Sequence, residues 1–429
     1  MKFLVLFFIA LLSTTAQATP KIIHWQTAAG SDVYFVENHE LPMLDLSINF
    51  PAGSARDVKE KSGVAGVTKY MMTLGADGLG EEEITNQFAN IGANLGGELD
   101  VDRAAFKLRT LTSERAKALA TFNKILHKPD FPQAVLDREK TRIIAGLQEA
   151  ATQPEAISNK AFMQALYGAH PYSLDESGEV DTIKAMKRED LTAFYQTFYT
   201  AKSATVALMG DVTEAEARTI ADNMTAGLPQ GAAIIKLPEI TVPQAANMQS
   251  IAHPASQAHI LLGYPGIKRG DADYWPLYVG NYVLGGGGFV SRLTEEVREK
   301  RGLVYSVYSY FMPMAEPGPF QIGLQTKKEQ AAEALKVVNE TVAKFIANGP
   351  TEKELKAAKN NIIGGFPMRI DTNAKILDYL SMIGFYKLPL TYLDEYNKNV
   401  AKVTAKQVKD AFKRRIKPEN FVSVIVGGQ

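Results

Sequence analysis

The chain has 429 residues, 46% hydrophobic and 22% charged, with 47 basic side chains against 47 acidic ones. At roughly 100–200 residues per domain it holds two or more domains with enough apolar content for real cores, and its zero net charge argues against nucleic-acid binding through bulk charge. It has six histidines and no cysteine, which removes disulfides, thiolate zinc sites, iron–sulfur clusters and cysteine nucleophiles and leaves His, carboxylates, Arg, Tyr, Ser or Lys for any chemistry.

The first element reads as an export signal. Lys2 precedes the apolar run Phe3 to Leu12, and Ala16-Gln17-Ala18 has the small-x-small form of a cleavage site. Ten apolar residues fall well short of the roughly 20 that span a bilayer, so residues 1–18 are expected to be removed after Ala18. The mature chain is expected to be periplasmic or secreted, without a membrane span.

Asp45 to Phe50 and part of Ala105 to Leu111 alternate with period two, as half-buried antiparallel strands do. Ser113 precedes a helix with Leu119, Phe122 and Leu126 on one face, which ends near Pro129. Leu191, Phe194, Tyr195 and Phe198 mark another helix, followed by the strand-like Thr205 to Gly210. Gly227 to Pro243 carries three prolines and two glycines without helical period, and a linker is placed at 228–247.

Beyond it, Gly285, Gly286, Gly287 and Gly288 stand between Val283-Leu284 and Phe289-Val290, permitting unusual dihedrals and close approach of another chain. They lack the Lys-Ser/Thr ending of a phosphate loop. Glu295 and Glu296 open a helix that ends at Lys300-Arg301-Gly302, and Leu303 to Tyr310 then alternates as a strand. Arg298 therefore projects from a helix end and Tyr305 from the following strand. Leu335, Val338, Val342 and Phe345 share the face of a helix stopped at Asn348-Gly349-Pro350, and capping boxes stand at Thr213/Glu216, Thr351/Glu354 and Thr404/Gln407.

A repeat underlies this order. Leu191 stands 19 positions before Gly210, Val408 stands 19 before Gly427, and the two helix-to-strand units lie 217 residues apart. The expected fold is α+β: two homologous sandwich domains, residues 19–227 and 248–429, each an antiparallel sheet packed against helices. No metal site is expected. His24, His39, His127 and His170 are scattered, His253 and His259 are six apart, Glu81-Glu82-Glu83 reads as a solvated helix start, and Asp100 and Asp102 sit at a strand edge.

Asn49-Phe-Pro-Ala-Gly-Ser54, Ser62-Gly-Val-Ala-Gly66, Ala169-His-Pro-Tyr172, Val206-Ala-Leu-Met-Gly-Asp211, Asn281-Tyr-Val-Leu-Gly-Gly-Gly-Gly288 and Arg298-Glu-Lys-Arg-Gly-Leu-Val-Tyr-Ser306 occur in one order along the chain. In this the chain resembles the pitrilysin/insulinase family of zinc peptidases, in the short-chain branch of the mitochondrial processing peptidase. Catalytic members carry His-x-x-Glu-His on a helix, with a third Glu ligand further on. Here the matching positions read Gly66, Val67, Thr68, Lys69 and Tyr70, with Gly146 at the third ligand. The metal positions are lost, so no cofactor is expected in this chain.

The resemblance also implies that Arg298 and Tyr305 correspond to the family's Arg-x6-Tyr pair, which reaches toward the scissile carbonyl oxygen from the domain opposite the zinc. It assigns Gly285, Gly286, Gly287 and Gly288 a substrate or interface role, against the plainer reading of a tight turn at a helix start. The implied function is that of the non-zinc subunit of an exported heterodimeric peptidase. A homologous zinc-binding subunit is its expected partner, and an extended peptide its substrate. The alternative is an inactive homologue that holds peptides or scaffolds a complex.

Overall fold

Alternating apolar residues build two sheets, seen in a computed structural model that describes residues 20–231 and 234–428; the expected signal at 1–18 lies outside the described residues. The strands of the first half are β1 (Ile23–Gln26), β2 (Asp32–Glu37), β3 (Met43–Phe50), the short pair β4 (Gly75–Ala76) and β5 (Leu79–Gly80), β6 (Asn94–Gly96), β7 (Ala104–Leu111) and β8 (Thr205–Gly210). Those of the second are β9 (Asn247–Ile251), β10 (Gln257–Pro265), β11 (Val304–Phe311), β12 (Pro319–Lys327) and β13 (Val422–Val426).

The main sheets have the orders β1-β2-β8-β3-β7-β6 and β11-β12-β10-β13-β9. Read from its other end, the second repeats the first strand for strand, β9-β13-β10-β12-β11 against β2-β8-β3-β7-β6. The repeat inferred from one helix and one strand thus extends across five strands of each sheet. In each half the final strand inserts beside an early one, with β8 parallel to β2 and β13 parallel to β9, and both antiparallel to the neighbour on the other side. A strand placed between two antiparallel neighbours must run parallel to one of them, so each otherwise antiparallel sheet contains a parallel pair.

Helices cover the sheets reciprocally. Asn373–Phe385 from the second half lies across β2, β3 and β8, and Pro154–Tyr167 from the first lies across β10 and β13. Tyr34, Val36, Ala207 and Met209 consequently belong to the second half's core. Phe162 and Leu166 pack with Leu261, Val422 and Val424. A Cβ on Gly384 would stand 2.6 Å from the side chains of both Tyr34 and Thr205, so only glycine lets that helix settle on the sheet.

This exchange corrects one expectation. The run Asp45 to Phe50 is buried on both faces, where alternation predicts one. Leu44, Leu46, Ile48 and Phe50 face the first half's own core. Asp45 and Ser47 pair across the sheet with Met209 and Ala207, on the face the exchanged helix covers. Asp45 accepts from Arg109 at 2.7 Å, and Arg103 donates to Asn49 at 3.1 Å, which satisfies the buried polar row.

The helices Arg115–His127 and Ala331–Asn348 and all three expected capping boxes are present. Residues 234–246 carry no helix or strand, and Leu237 and Ile240 pack on the core built around the helix Pro154–Tyr167. Among the described residues no helix is long and apolar enough to cross a membrane.

Candidate functional site

The helix Val64–Met71 carries Gly66, Lys69 and Tyr70, three of the four residues expected from the resemblance at the zinc positions. Its start is held by Asp57, which accepts from the N–H groups of Gly63 at 2.6 Å and Ala65 at 3.0 Å. A Cβ at Gly66 would meet the carbonyl oxygen of Glu176 at 3.0 Å, so a longer side chain there would displace the segment that closes over it. The Lys69 ammonium donates to the Gly97 carbonyl at 3.2 Å and lies 5.3 Å from the Phe106 ring centroid. Burial pulls its pKa below the usual lysine value, against the opposing charge of Glu98.

Tyr70 is covered by the Arg142 guanidinium at 5.1 Å, and Gly146 stands one turn further along the same helix, Gln133–Ala150, exposed and without neighbours at its Cβ position. One guanidinium–ring contact therefore links the helix that bears Gly146 to the helix that bears Tyr70. The side chains present do not fit zinc: two glycines offer no ligand, and an ammonium repels a dication. Among the described residues no cluster of three or more His, Cys, Asp or Glu could hold a metal ion.

The second half holds a different arrangement. The segment Thr294–Glu299 is a wide π turn, closed by the Lys300 N–H bonding to the Glu295 carbonyl at 3.0 Å. Gly302 ends the turn at φ +62°, and β11 begins two residues later. In the β11–β12 register Val304 faces Thr326 and Ser306 faces Gln325, leaving Tyr305 as the extra residue of a β-bulge. A bulge re-aims a side chain away from the pleat. Tyr305 is 82% exposed, with its ring centroid 5.3 Å from the Arg298 guanidinium. Glu299 is 3.6 Å from Arg298, and the ring of Phe289 is 4.9 Å from it. The expected pair is thus adjacent, and a phenol and a guanidinium together present donors suited to an oxygen that gains negative charge.

The glycines join the end of one helical segment to the turn that precedes the next. Tyr274–Asn281 runs into a second π turn, Tyr282–Gly286, and a short 3-10 turn Gly288–Val290 follows. Three of the four are filled against the molecule itself. A Cβ on Gly285 would stand 2.3 Å from the Ser309 hydroxyl, one on Gly286 2.8 Å from the Asn281 amide, and one on Gly287 2.6 Å from the Tyr282 carbonyl. Only Gly288 has open space, at φ +61°. Asn281 donates to the Ser309 carbonyl at 2.8 Å and accepts from its hydroxyl at 2.7 Å, which stitches this loop to the strand that bears Tyr305.

Asp102, read from sequence as a strand-edge acid, is buried where the halves meet. It accepts from Tyr172 at 2.6 Å, from Tyr386 at 2.9 Å and from the Ala315 N–H at 2.7 Å. Burial raises its pKa against these bonds. A cleft of 540 Å³ bounded by Glu98, Asp102, Glu176, Met314, Met382 and Tyr386 opens beside it. His170 serves packing and turns: its Nδ1 accepts from the Tyr172 N–H at 3.1 Å, and its Nε2 lies 3.1 Å from the Pro238 carbonyl.

Comparison with known proteins finds matches to both halves of the chain. Residues 33–176 match insulinase, peptidase family M16, and residues 185–362 match the peptidase M16 inactive domain. The Helicobacter pylori protein named non-peptidase homolog YmxG is 26% identical over 401 residues, 92% of each chain. The mitochondrial-processing peptidase subunit beta of Blastocladiella emersonii is 22% identical over 410 residues, 93% of this chain and 87% of that one. A solved peptidase M16 inactive domain from Pseudomonas fluorescens shares 38% identity with a TM-score of 0.92, covering 95% of this chain and 98% of that one. The chain belongs to peptidase family M16, the insulinase family.

Proposed function

We propose that this chain is the non-zinc member of an exported two-chain peptidase, in which Arg298 and Tyr305 complete an active site whose zinc belongs to a homologous partner. The observation that carries this reading is the bulge that turns Tyr305 outward beside Arg298 in a chain whose zinc positions are filled by residues that cannot bind the metal. Zinc held by the partner would activate water and polarise the peptide carbonyl. The part played by this chain is electrostatic: as water adds, charge grows on the carbonyl oxygen, and the Arg298 N–H and Tyr305 O–H donate to it in a chamber with little water. Export through residues 1–18 is part of the same reading.

Loss of one such donor costs about 100-fold or more in kcat. In the reconstituted pair, Arg298→Ala and Tyr305→Phe are therefore expected to lower kcat by about that factor with KM little changed, while the purified chain alone cleaves no peptide. Unchanged kcat in both variants would sink the catalytic role. Two of the relatives, named a non-peptidase homolog and an inactive domain, favour a second reading with no part in hydrolysis, for which we propose peptide holding or scaffolding of a complex. That reading expects peptide binding or complex assembly to survive Arg298→Ala with no hydrolysis to lose.

A further inference from the structure

Phe289 is the residue around Arg298 that neither the family motif nor the glycine run accounts for. Its side chain is 73% exposed and belongs to none of the three cores. An exposed Phe after four glycines would by itself be unremarkable. Its position is not arbitrary, however. The turn that carries it is tied to β11 by the Asn281–Ser309 pair, and Gly285 lies against Ser309 too closely for any side chain. This ties the base of the turn that carries Phe289 to the strand that bears Tyr305.

Two wide π turns, Tyr282–Gly286 and Thr294–Glu299, flank the short Phe289 turn, and such turns recur at functional positions. The Arg298 guanidinium then lies 4.9 Å from one ring and 5.3 Å from the other, with its side chain only 30% exposed although both rings stand largely in solvent. Glu299, at 3.6 Å, is too distant for a hydrogen bond. Aromatic faces attract a guanidinium and limit its swing while leaving its N–H edge free to donate.

We propose that Phe289 is a positioning residue for Arg298: together with Tyr305 it holds the guanidinium in the donating orientation, so that the glycine-rich turn and the Arg/Tyr pair act as one unit. The catalytic consequence rests on the function proposed above, but the clamp itself does not. In the isolated full-length chain, ring currents are expected to shift the Arg298 Hε resonance upfield. Phe289→Leu should return it toward the position of solvent-exposed arginines, and Phe289→Tyr should keep it shifted. A resonance that is the same in Phe289→Leu and the parent chain overturns the proposal.

In the assembled peptidase, Phe289→Leu is expected to lower kcat about tenfold with KM within about twofold, because a small misplacement of a donor is felt at the transition state, and Phe289→Tyr should restore it. If Arg298→Ala abolishes hydrolysis while Phe289→Leu leaves kcat untouched, the positioning role is wrong and the functional reading stands. If Arg298→Ala has no effect, the functional reading falls and the Arg298 resonance alone decides the clamp.

Discussion

Gly285 and Gly288 are the same residue answering different demands. At Gly285 a Cβ would stand 2.3 Å from the Ser309 hydroxyl and 2.7 Å from its backbone nitrogen, so alanine must push the loop off β11. At Gly288 the space is open, and only the left-handed backbone disfavours a side chain. Gly285→Ala is expected to destabilise the chain by about 2 kcal/mol or more, through overpacking against backbone, and Gly288→Ala by about 1 kcal/mol. Urea unfolding of the two variants checks this, and equal losses would contradict it. That Gly66 and Gly146 offer no side-chain ligand was legible from the sequence alone, because a residue that lacks a donor atom lacks it in any fold. The contact of Phe289 with Arg298 was not legible, since a phenylalanine carries no chemistry until its ring is placed beside a cation.

The helix Glu352–Gly365 is coupled to the Arg298 region through one carboxylate. Glu354 completes the capping box with Thr351 and also accepts two bonds at 2.7 Å from Arg292, which precedes the Arg298 turn. Arg292 first, and then the Thr351 cap, hold the Glu354 pKa down to about 2 from its ordinary 4.5, against partial burial. The folded value lies below the unfolded one, so the unfolded chain binds more protons in between. The stabilisation is complete above about 4.5 and is lost as pH falls toward 2. Glu354→Gln is expected to cost about 1–2 kcal/mol near pH 7, discounted for its solvent exposure. The deficit should shrink as pH drops below about 4.5; urea denaturation across pH measures it, and a constant difference would refute the linkage. The capping box was visible as Thr-x-x-Glu, whereas Arg292 lies 62 positions away and its contribution waited for the fold.

For the whole molecule, reciprocal helix exchange makes the halves interdependent. Each main sheet is covered by a helix from the other half, and Asp102 joins Tyr172 of the first to Tyr386 and Ala315 of the second. Separating the halves would expose both sheet faces and strip a buried acid of its donors, a large cost in apolar burial and polar satisfaction. Cleavage with a protease site placed in residues 234–246 is therefore expected to leave two fragments that co-elute on size exclusion and unfold in one transition. Fragments that part without denaturant would show that the exchange contributes little. The repeat announced two similar halves, but similarity of sequence says nothing about whose helix covers which sheet.

The amino-acid sequence by itself determined the α+β alternation, the repeat at 217 residues, the caps and the succession of Arg298 on a helical turn and Tyr305 on the strand that follows. These depend on neighbours within a few positions or on the identity of one side chain. Tertiary structure alone decided that β3 is buried on both faces, that Phe289 stands beside Arg298, and that Asp102 meets Tyr386 across 284 residues. Local periodicity chooses which face of an element is apolar, and only the packing of distant elements chooses what that face, and the polar face behind it, will meet.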